Sequence, residues 1–328
     1  MSEERYCCMM NTVCVLILNF NQSRFLPYAI ESINLQTVKP NQVIFIDDGS
    51  EKKDFDDANE IVNNEAIIDV AIFDGKNMGH TCRMNQALSL CSSTYILLLS
   101  ADDWLEKDAL ENLLRYGSDS NDVIWGNLNV TDEDGIRVTH VRPRGTWQGK
   151  TAQKYNRPGH VFNDLFKVNN FISGGMSLIK VSSVIDHGGW DEDVTTEDLD
   201  LWLRLGKDSE FKYVDEIVGN YRKVKGSKSR SDEKKLYDHA KILAKYSNVS
   251  RALDFQIAYL IAMRWSLAIM RQKKLPGVKL ANLSTICGIK RYQILLMLPL
   301  AIARPLIGTA LAQLRPVNFR FLLGRLNR

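Results

Sequence analysis

The sequence lacks the cysteine patterns that bind metals or cross-link small secreted proteins. Its six cysteines form no CxxC pair and no Cys/His cluster, which excludes a zinc-finger type of site. We interpret them as reduced cytosolic thiols. The first ten residues, MSEERYCCMM, carry two acids and no apolar run ahead of a cleavage site. We therefore expect no secretory signal and a cytoplasmic protein.

An uninterrupted membrane-spanning run is also missing. The nearest candidate, Gln293–Leu314, is nearly uncharged but contains Arg304, Pro299 and Pro305. A spanning helix needs about 20 apolar residues, and an Arg at its centre is costly. The segment therefore favours a kinked amphipathic helix on a membrane surface, and a helix pair packed on the protein is the open alternative.

The net charge of +3 hides an asymmetry. Residues 251–328 hold 13 Lys and Arg and a single acid, Asp254, which leaves 29 basic and 38 acidic residues in 1–250. A basic segment on an acidic body can bind nucleic acid, an anionic membrane or an acidic partner. Because this segment lacks aromatic side chains interleaved with Lys and Arg, we expect peripheral contact with the cytosolic face of a membrane and no nucleic acid.

Apolar runs alternate with helical patterns from the N-terminus onward. Val13–Leu18, Val43–Ile46 and Tyr95–Leu99 have the composition of buried parallel strands, with helices predicted near 27–35 and 80–90. Further elements are weaker: a helix near 55–63 and strands near 67–73, 123–125, 128–130, 172–179 and 212–218. The alternation predicts an α/β protein with an open, mostly parallel sheet.

The segment Lys223–Lys235 is rich in Lys, Ser and Arg, which predicts a loop or hinge. We place a catalytic domain over 1–235 and a basic, apolar helical region over 236–328. In open α/β sheets, ligands bind outside the carboxyl ends of the strands. That rule points to four polar segments: Asn19–Asn21, Asp47–Ser50, Asp74–Gly79 and Ser100–Asp103.

The polar segments belong to a longer collinear set of motifs. The set comprises Asp47-Asp48-Gly49-Ser50, Lys76–Ala87 with Arg83 and Asn85, Tyr95–Trp104, Ile172–Met176, Gly188–Glu192 and Thr196–Arg204. In this order and spacing, over about residues 12–230, the sequence resembles glycosyltransferase family 2. The resemblance implies a GT-A fold and inverting transfer from a nucleotide-diphosphate sugar, with UDP as the expected nucleotide. We expect transfer of a single sugar, because Ile261 replaces the Gln that processive relatives carry before an Arg-Trp pair, and Arg264-Trp265 lies far downstream.

The resemblance also implies residues that bind the donor and a cation. The expected donor contacts are Asn19, Asn21, Asp47, Asp48, Gly79, Arg83 and Asp102. A carboxylate at a strand end can accept hydrogen bonds from a base or a ribose, and an arginine can pair with a diphosphate. Asp102 and Asp103 are the expected ligands of Mn²⁺ or Mg²⁺, which neutralises the leaving diphosphate. Helix capping or a surface ion pair would explain each of these residues singly.

Asp198 is the expected catalytic base, which takes the proton of the attacking acceptor hydroxyl. Helical spacing places Asp198, Leu201, Trp202 and Leu205 on one stripe, so the base would begin a core-packed helix. The acceptor, a glycan or a lipid-linked precursor of cell-surface polysaccharide, is expected beside Glu197, Gly174, Gly175, Trp190 and Asp191.

Two departures from the family pattern weaken the cation site. Ser100 stands where relatives carry the first acid of the motif, and Val224 or Lys225 stands where many carry histidine. Lys225 or another base of 222–230 could then partly replace the cation at the diphosphate. The alternative interpretation is a sugar-nucleotide-binding scaffold of the same fold that has lost activity, against which the retained Asp102, Asp103 and Asp198 argue.

Overall fold

The computed structural model describes residues 11–118, 120–140, 147–168, 170–224, 232–272, 280–288, 290 and 293–294. The chain divides into two compact units. The first comprises Met1–Phe162, Phe171–Asp193 and Glu197–Ser227, and the second comprises Asn163–Asn170, Val194–Thr196 and Lys228–Arg328. The domain boundary that we placed at residue 235 stays a prediction.

The described part of the first unit contains one mixed sheet of nine strands. The strands are β1 (Val13–Asn19), β2 (Gln42–Asp47), β3 (Val70–Ile72), β4 (Tyr95–Ser100), β5 (Trp104–Leu105), β6 (Asn121–Thr131), β7 (Arg137–His140), β8 (Leu178–Lys180) and β9 (Glu210–Arg222). Their order across the sheet is β3-β2-β1-β4-β8-β6-β9-β5, and β7 pairs with β6. The predicted α/β class is confirmed.

The first four strands in that order run parallel. Asn19 of β1 lies opposite Asp47 of β2, and Leu18 lies opposite Ser100 of β4. The carboxyl ends of the three strands therefore meet at one edge of the sheet, as the sequence predicts. On the other side of β4, β8 pairs antiparallel.

Helices connect the strands in the order that the sequence periodicity predicts. They are α1 (Leu26–Asn34), α2 (Lys52–Asn63), α3 (His80–Leu90), α4 (Ala109–Leu114), α5 (Trp147–Gln153), α6 (Phe162–Val168), α7 (Val181–Asp186), α8 (Glu197–Leu205), α9 (Asp232–Ala244), α10 (Arg251–Gln272) and α11 (Leu280–Ile286). The core of the first unit is the apolar runs of β1, β2 and β4 together with the inward stripe of α1, namely Leu26, Ala29, Ile30 and Ile33. Burial of such side chains is worth about 1.5–3 kcal/mol each.

In the second unit, the described helices pack through buried apolar side chains of α9 and α10, namely Leu236, Ile242, Leu243, Ile257 and Ile261. Phe166 of α6 packs edge-on against Tyr246 with ring centroids 5.6 Å apart. None of the helices in the described part of the chain is long and apolar enough to cross a membrane. Of the predicted membrane-surface segment 293–314, all but residues 293–294 lie outside the described residues.

Three sequence-based assignments need correction. The alternative that Asp103 caps a helix beginning at Trp104 is wrong, because Trp104–Leu105 is a short strand that pairs with Asn220 and Gly219 of β9. The two strands predicted near 123–125 and 128–130 are one strand, β6, which continues through buried Asn127. Of the predicted 172–179 strand, only residues 178–179 lie in a strand, β8, which ends at Lys180. Strand β9 is longer than predicted because it pairs along the length of β6.

Candidate active site

The turn after β2 is held by several hydrogen bonds to the side chain of Asp47. The carboxylate of Asp47 accepts from Asn19 Nδ2 at 2.8 Å, from Ser50 Oγ at 2.6 Å and from the backbone N–H of Ser50 at 2.9 Å. Asp47 is 0% exposed, so its carboxylate serves this turn. Asp47 positions the turn in this structure, and its predicted contact with a nucleotide stays a prediction.

The two asparagines after β1 occupy different environments. Asn19 is buried, donates also to Asp54 Oδ1 at 3.2 Å, and its Oδ1 is a buried atom without a hydrogen-bond partner. Asn21 is exposed, adopts a positive φ of 56° and accepts at Oδ1 from the backbone N–H of Glu51 at 2.7 Å. Both side chains therefore lie at the carboxyl edge of the sheet, where contact with the nucleotide-sugar donor is predicted.

Asp48 holds the start of α3. Its Oδ1 accepts from the backbone N–H groups of Met78 at 2.8 Å and Gly79 at 3.1 Å, and from Arg83 Nε at 3.2 Å. Its Oδ2 takes part in none of these three bonds. Asp48 therefore combines a fixed position with an oxygen that can accept from a ribose hydroxyl or a base N–H.

Arg83 is the largest correction to the predicted site. Its side chain is 0% exposed, and its five N–H donors go to Asp48, Gln86, the Lys76 carbonyl and, with two bonds, Asp74. An arginine has five such donors, so none remains for a diphosphate. Arg83 instead fastens the loop before α3, and its guanidinium lowers the pKa of Asp74 to about 2.

The carboxyl groups of Asp102 and Asp103 follow β4 and are nearly buried. Asp102 Oδ2 accepts from Gln22 Nε2 at 2.8 Å, and Asp103 Oδ1 accepts from the backbone N–H of Arg222 at 2.9 Å. Burial raises the pKa of both acids, and the neighbouring charge of Asp102 raises the pKa of Asp103 further. Two buried carboxylates at consecutive positions repel each other, which favours binding of a cation that they share with a ligand.

Arg222 supplies a fixed positive charge beside this pair. Its Nε donates to the Asp102 carbonyl at 2.9 Å and one terminal nitrogen donates to the Glu133 carbonyl at 2.7 Å. The guanidinium lies 4.6 Å from the ring centroids of Phe25 and Trp104, in the range of cation–π contacts. Sequence reasoning included Arg222 only as one of the bases of 222–230 that could partly replace the cation.

Asp102 and Asp103 fit a divalent cation that is shared with a diphosphate. Each uses one carboxylate oxygen in the bonds described above, and Ser100 supplies a hydroxyl in place of a third acid. Across the described ranges, no group of three or more His, Cys, Asp or Glu side chains could hold a metal ion. Magnesium is commonly bound by one or two carboxylates plus substrate phosphates, so these two acids suit that mode and do not form an all-protein cage.

The predicted base lies at the start of α8. Asp198 Oδ1 accepts from the backbone N–H of Leu199 at 2.7 Å, and Leu201, Trp202 and Leu205 below it are buried. Gly174 packs directly on it, since a Cβ there would lie 2.9 Å from Asp198 Cβ. A half-buried carboxylate is therefore fixed on a rigid, core-packed helix.

Two sets of contacts join Asp198 to the carboxyl edge of the sheet. On one side, Glu197 lies 3.8 Å from His80, which follows the Gly79 that donates to Asp48. On the other, Gly174 contacts Asp198, and the nearby backbone N–H of Met176 donates to Leu98 of β4 at 2.8 Å. These contacts connect the elements that carry Asp48 and Asp198 and the strand that precedes Asp102.

The acceptor-side residues differ in exposure. Gly175 and Glu197 are half-buried, and Asp191 Oδ1 accepts from the backbone N–H of Asp193 at 2.9 Å. Trp190 is 2% exposed, so its ring packs in the interior and offers no face to a sugar. The expectation that the acceptor lies beside Trp190 stays a prediction.

Comparisons with known proteins test the family that the motifs imply. A family model described as glycosyl transferase family 2 matches residues 14–188, which is more than half of the chain. The chain belongs to glycosyltransferase family 2. This family 2 enzyme is a glycosyltransferase, as the motif set predicts.

Its relatives include an uncharacterised glycosyltransferase of Methanocaldococcus jannaschii, 26% identical over 247 residues, which are 72% of this chain and 80% of the relative. A poly-beta-1,6-N-acetyl-D-glucosamine synthase of Staphylococcus aureus is 24% identical over 197 residues, 59% of this chain and 45% of that protein. Among solved structures, residues 1–349 of S. aureus TarS with UDP give a TM-score of 0.61 at 13% identity, covering 90% of this chain and 92% of that fragment. TarS has also been solved with UDP-GlcNAc. The likeness to TarS shows that the family 2 enzyme has a GT-A-type fold.

Proposed function

We propose that this enzyme transfers a single sugar, with inversion, from a nucleotide-diphosphate sugar to a hydroxyl of a glycan or lipid-linked acceptor. The observation that carries the proposal is the contact path from Asp48 through Gly79, His80 and Glu197 to Asp198. This path connects the residue proposed to bind the nucleotide with the residue proposed to accept the proton of the acceptor hydroxyl. Inverting transfer needs both at once, because the acceptor oxygen attacks as the diphosphate leaves.

Asp198 would accept the proton of the acceptor hydroxyl as that oxygen attacks the anomeric carbon. Its carboxylate lies at the start of α8, and packing of the helix against the core restricts the movement of the base. Glu197 and the backbone around Gly174 and Gly175 would border the acceptor. Asp48, Asn19 and Asn21 would border the nucleotide.

UDP is the nucleotide that we propose, and cell-surface polysaccharide is the proposed product class. The support is the UDP and UDP-GlcNAc complexes of TarS and the polysaccharide synthase among the relatives. Asp102 and Asp103 would hold Mn²⁺ or Mg²⁺, which neutralises charge on the leaving diphosphate. Lys225, the base predicted to replace part of that charge, lies outside the described residues, whereas Arg222 lies beside the acids.

A thermal-shift panel of UDP, GDP, CDP and TDP, with Mn²⁺ or with EDTA, tests the donor site. UDP should raise the melting temperature above the other nucleotides, because a ligand that binds only the folded state stabilises it. A larger shift with another nucleotide would exclude UDP. A full UDP shift in EDTA would mean that Asp102 and Asp103 work without a cation.

The variant Asp198→Asn tests the base. Hydrolysis or transfer from the donor should fall about 10²- to 10⁴-fold, since general-base catalysis contributes that much. The UDP shift should stay at the wild-type value, and the exposed Asp193→Asn serves as the matched control. If the wild type binds UDP but turns over no donor, and Asp198→Asn changes nothing, the chain is the sugar-nucleotide-binding scaffold of the alternative interpretation.

We further propose contact of residues 251–328 with an anionic membrane surface. The support is the excess of 13 basic residues over one acid in that segment. The full chain should sediment with vesicles that contain anionic lipid and much less with neutral vesicles. Equal binding to both would contradict the electrostatic argument.

A further inference from the structure

Asn85 of α3 makes a pair of hydrogen bonds that joins segments 105 residues apart. Its Nδ2 donates to the Trp190 carbonyl at 2.9 Å, and the backbone N–H of Trp190 donates to Asn85 Oδ1 at 2.8 Å. The two groups of Trp190 require an N–H and an oxygen respectively, so the orientation of the amide is fixed. Nδ2 also donates to Glu192 Oε1 at 2.9 Å.

The opposite side of this segment is tied to the helix that carries Asp198. Arg204 of α8 donates to the Gly189 carbonyl at 2.7 Å and to the His187 carbonyl. The segment 187–192 is therefore fastened between α3 and α8. Gly189 fits tightly in this arrangement, because a Cβ there would lie 2.7 Å from Asn85 Oδ1.

The same helix also holds the donor side of the site. Arg83 precedes Asn85 by two residues, which is about 200° around a helix, so the two side chains leave α3 in nearly opposite directions. Arg83 bonds to Asp48 and Asp74, whereas Asn85 bonds to Trp190. Helix α3 thus connects the predicted nucleotide contacts to the segment that borders α8.

We propose that Asn85 is a positioning residue that fixes the distance between the bound donor and Asp198. This inference rests on the proposed function. Asn85 does not touch the reacting atoms: it holds 187–192, and Arg204 transmits that position to α8. An amide carries its donor and its acceptor on separate atoms at one end of a short side chain, so alanine or ionised aspartate cannot replace both bonds.

The test compares Asn85→Ala with Ser89→Ala, a control on the same helix whose hydroxyl bonds only the Gln86 carbonyl. Hydrogen exchange measured on the peptide that contains Trp190 should accelerate at least about 10-fold in Asn85→Ala, because the N–H of Trp190 loses its acceptor. The UDP-induced rise in melting temperature should remain within error of the wild type. Ser89→Ala should change neither quantity.

A kinetic measurement separates positioning from a general loss of structure. Among UDP-GlcNAc, UDP-glucose, UDP-galactose and GDP-mannose, the donor that the wild type hydrolyses is used. In Asn85→Ala, kcat should fall about 10- to 100-fold with donor KM within about 2-fold, as expected for a misplaced base. Unchanged exchange at Trp190, or a rise in KM that accounts for the whole loss, would overturn the proposal.

A second pair of variants tests the same hydrogen bonds without shortening the side chain at position 85. Asn85→Asp places a carboxylate against the Trp190 carbonyl and Glu192, so it should lower kcat at least as much as Asn85→Ala. Adding Glu192→Gln supplies an N–H donor to that carboxylate and should restore about 3-fold or more of the loss. Absence of any rescue would contradict the proposed bond network. If the wild type hydrolyses none of the donors, the proposed function fails, and the exchange measurement still decides the role of Asn85.

Discussion

Replacing Arg83 with methionine separates a structural role from a diphosphate-binding role. A ligand-binding arginine is dispensable for folding, so its loss removes UDP binding and leaves the apo protein stable. A fully buried arginine with five internal bonds is needed for folding. The structure therefore predicts that Arg83→Met strongly destabilises the apo protein.

The size of the effect follows from the groups that lose their cation. The pKa of Asp74 is about 2 beside Arg83 and returns toward 3.8 without it, which is about 2.4 kcal/mol before screening. The Asp74 side chain is 32% exposed, which reduces this share to about 1 kcal/mol. Asp48 is 5% exposed and loses a charged partner, which costs about 1–3 kcal/mol more. We expect a total of about 2–4 kcal/mol, close to the cost of other broken buried ion pairs.

Urea unfolding at several pH values measures this loss. The folded-state pKa of Asp74 is depressed, so the stability that Asp74 contributes is present above about pH 4 and disappears as the pH falls toward 2. The difference between wild type and Arg83→Met should therefore be largest at neutral pH and shrink in that acidic window. The signature distinguishes a lost ion pair from a cavity, whose cost hardly depends on pH.

Arg24→Met is the matched control for this measurement. Arg24 pairs with Glu133 at 2.5 Å, but its side chain is 62% exposed. Exposed ion pairs contribute about 0–1 kcal/mol, so this variant should unfold nearly as the wild type does. A loss below about 1 kcal/mol in Arg83→Met, together with loss of the UDP shift, would refute the structural role and restore the diphosphate role.

Two further predictions concern the acids of the site. Gly174→Ala puts a methyl group 2.9 Å from Asp198 Cβ, so donor turnover should fall about 10-fold or more, whereas Gly159→Ala, with its nearest contact at 3.7 Å, should turn over normally. Asp103→Asn removes a buried charge whose pKa is raised by burial and by Asp102. The raised pKa means that the folded protein is destabilised when Asp103 is ionised. At pH 7 in EDTA, this variant should therefore be more stable than the wild type by about 1–3 kcal/mol. The difference in unfolding free energy between the two proteins should narrow at lower pH. A less stable Asp103→Asn, measured by urea unfolding, would contradict the burial argument.

The parallel half of the sheet could be predicted from the sequence because its strands are buried on both faces. Val13–Leu18 and Tyr95–Leu99 are continuous apolar runs, and no solvent-facing residue interrupts them. The C-terminal half could not be predicted as well. Strand β6 carries buried Asn127 and Asn129, which break the apolar signal, and the amide of Asn129 bonds to Asn220 on β9. That partner is 91 residues away, so local periodicity does not reveal it.

Among the site residues, the sequence predicted which side chains gather and missed how they are used. Asp47 and Arg83 both lie at the predicted edge of the sheet, but both are fully buried and bonded to protein. Trp190 likewise lies in an expected segment and turns its ring inward. A motif fixes residue type and order, whereas exposure depends on contacts such as Asn85 with Trp190 that only the tertiary structure supplies.

Loss of Arg83 as a diphosphate partner changes the charge balance at the donor site. The acids there are Asp48, Asp102 and Asp103, while the cation nearest the last two, Arg222, is 4% exposed and bonded to backbone carbonyls. Each carboxylate about 4 Å from a phosphate oxygen would repel it by about 4 kcal/mol at the dielectric typical of a protein surface. A diphosphate can bind beside such acids only if positive charge accompanies it. A divalent cation on Asp102 and Asp103 would supply that charge without displacing Arg222, so the corrected role of Arg83 strengthens the proposal of a cation even though Ser100 replaces one acid.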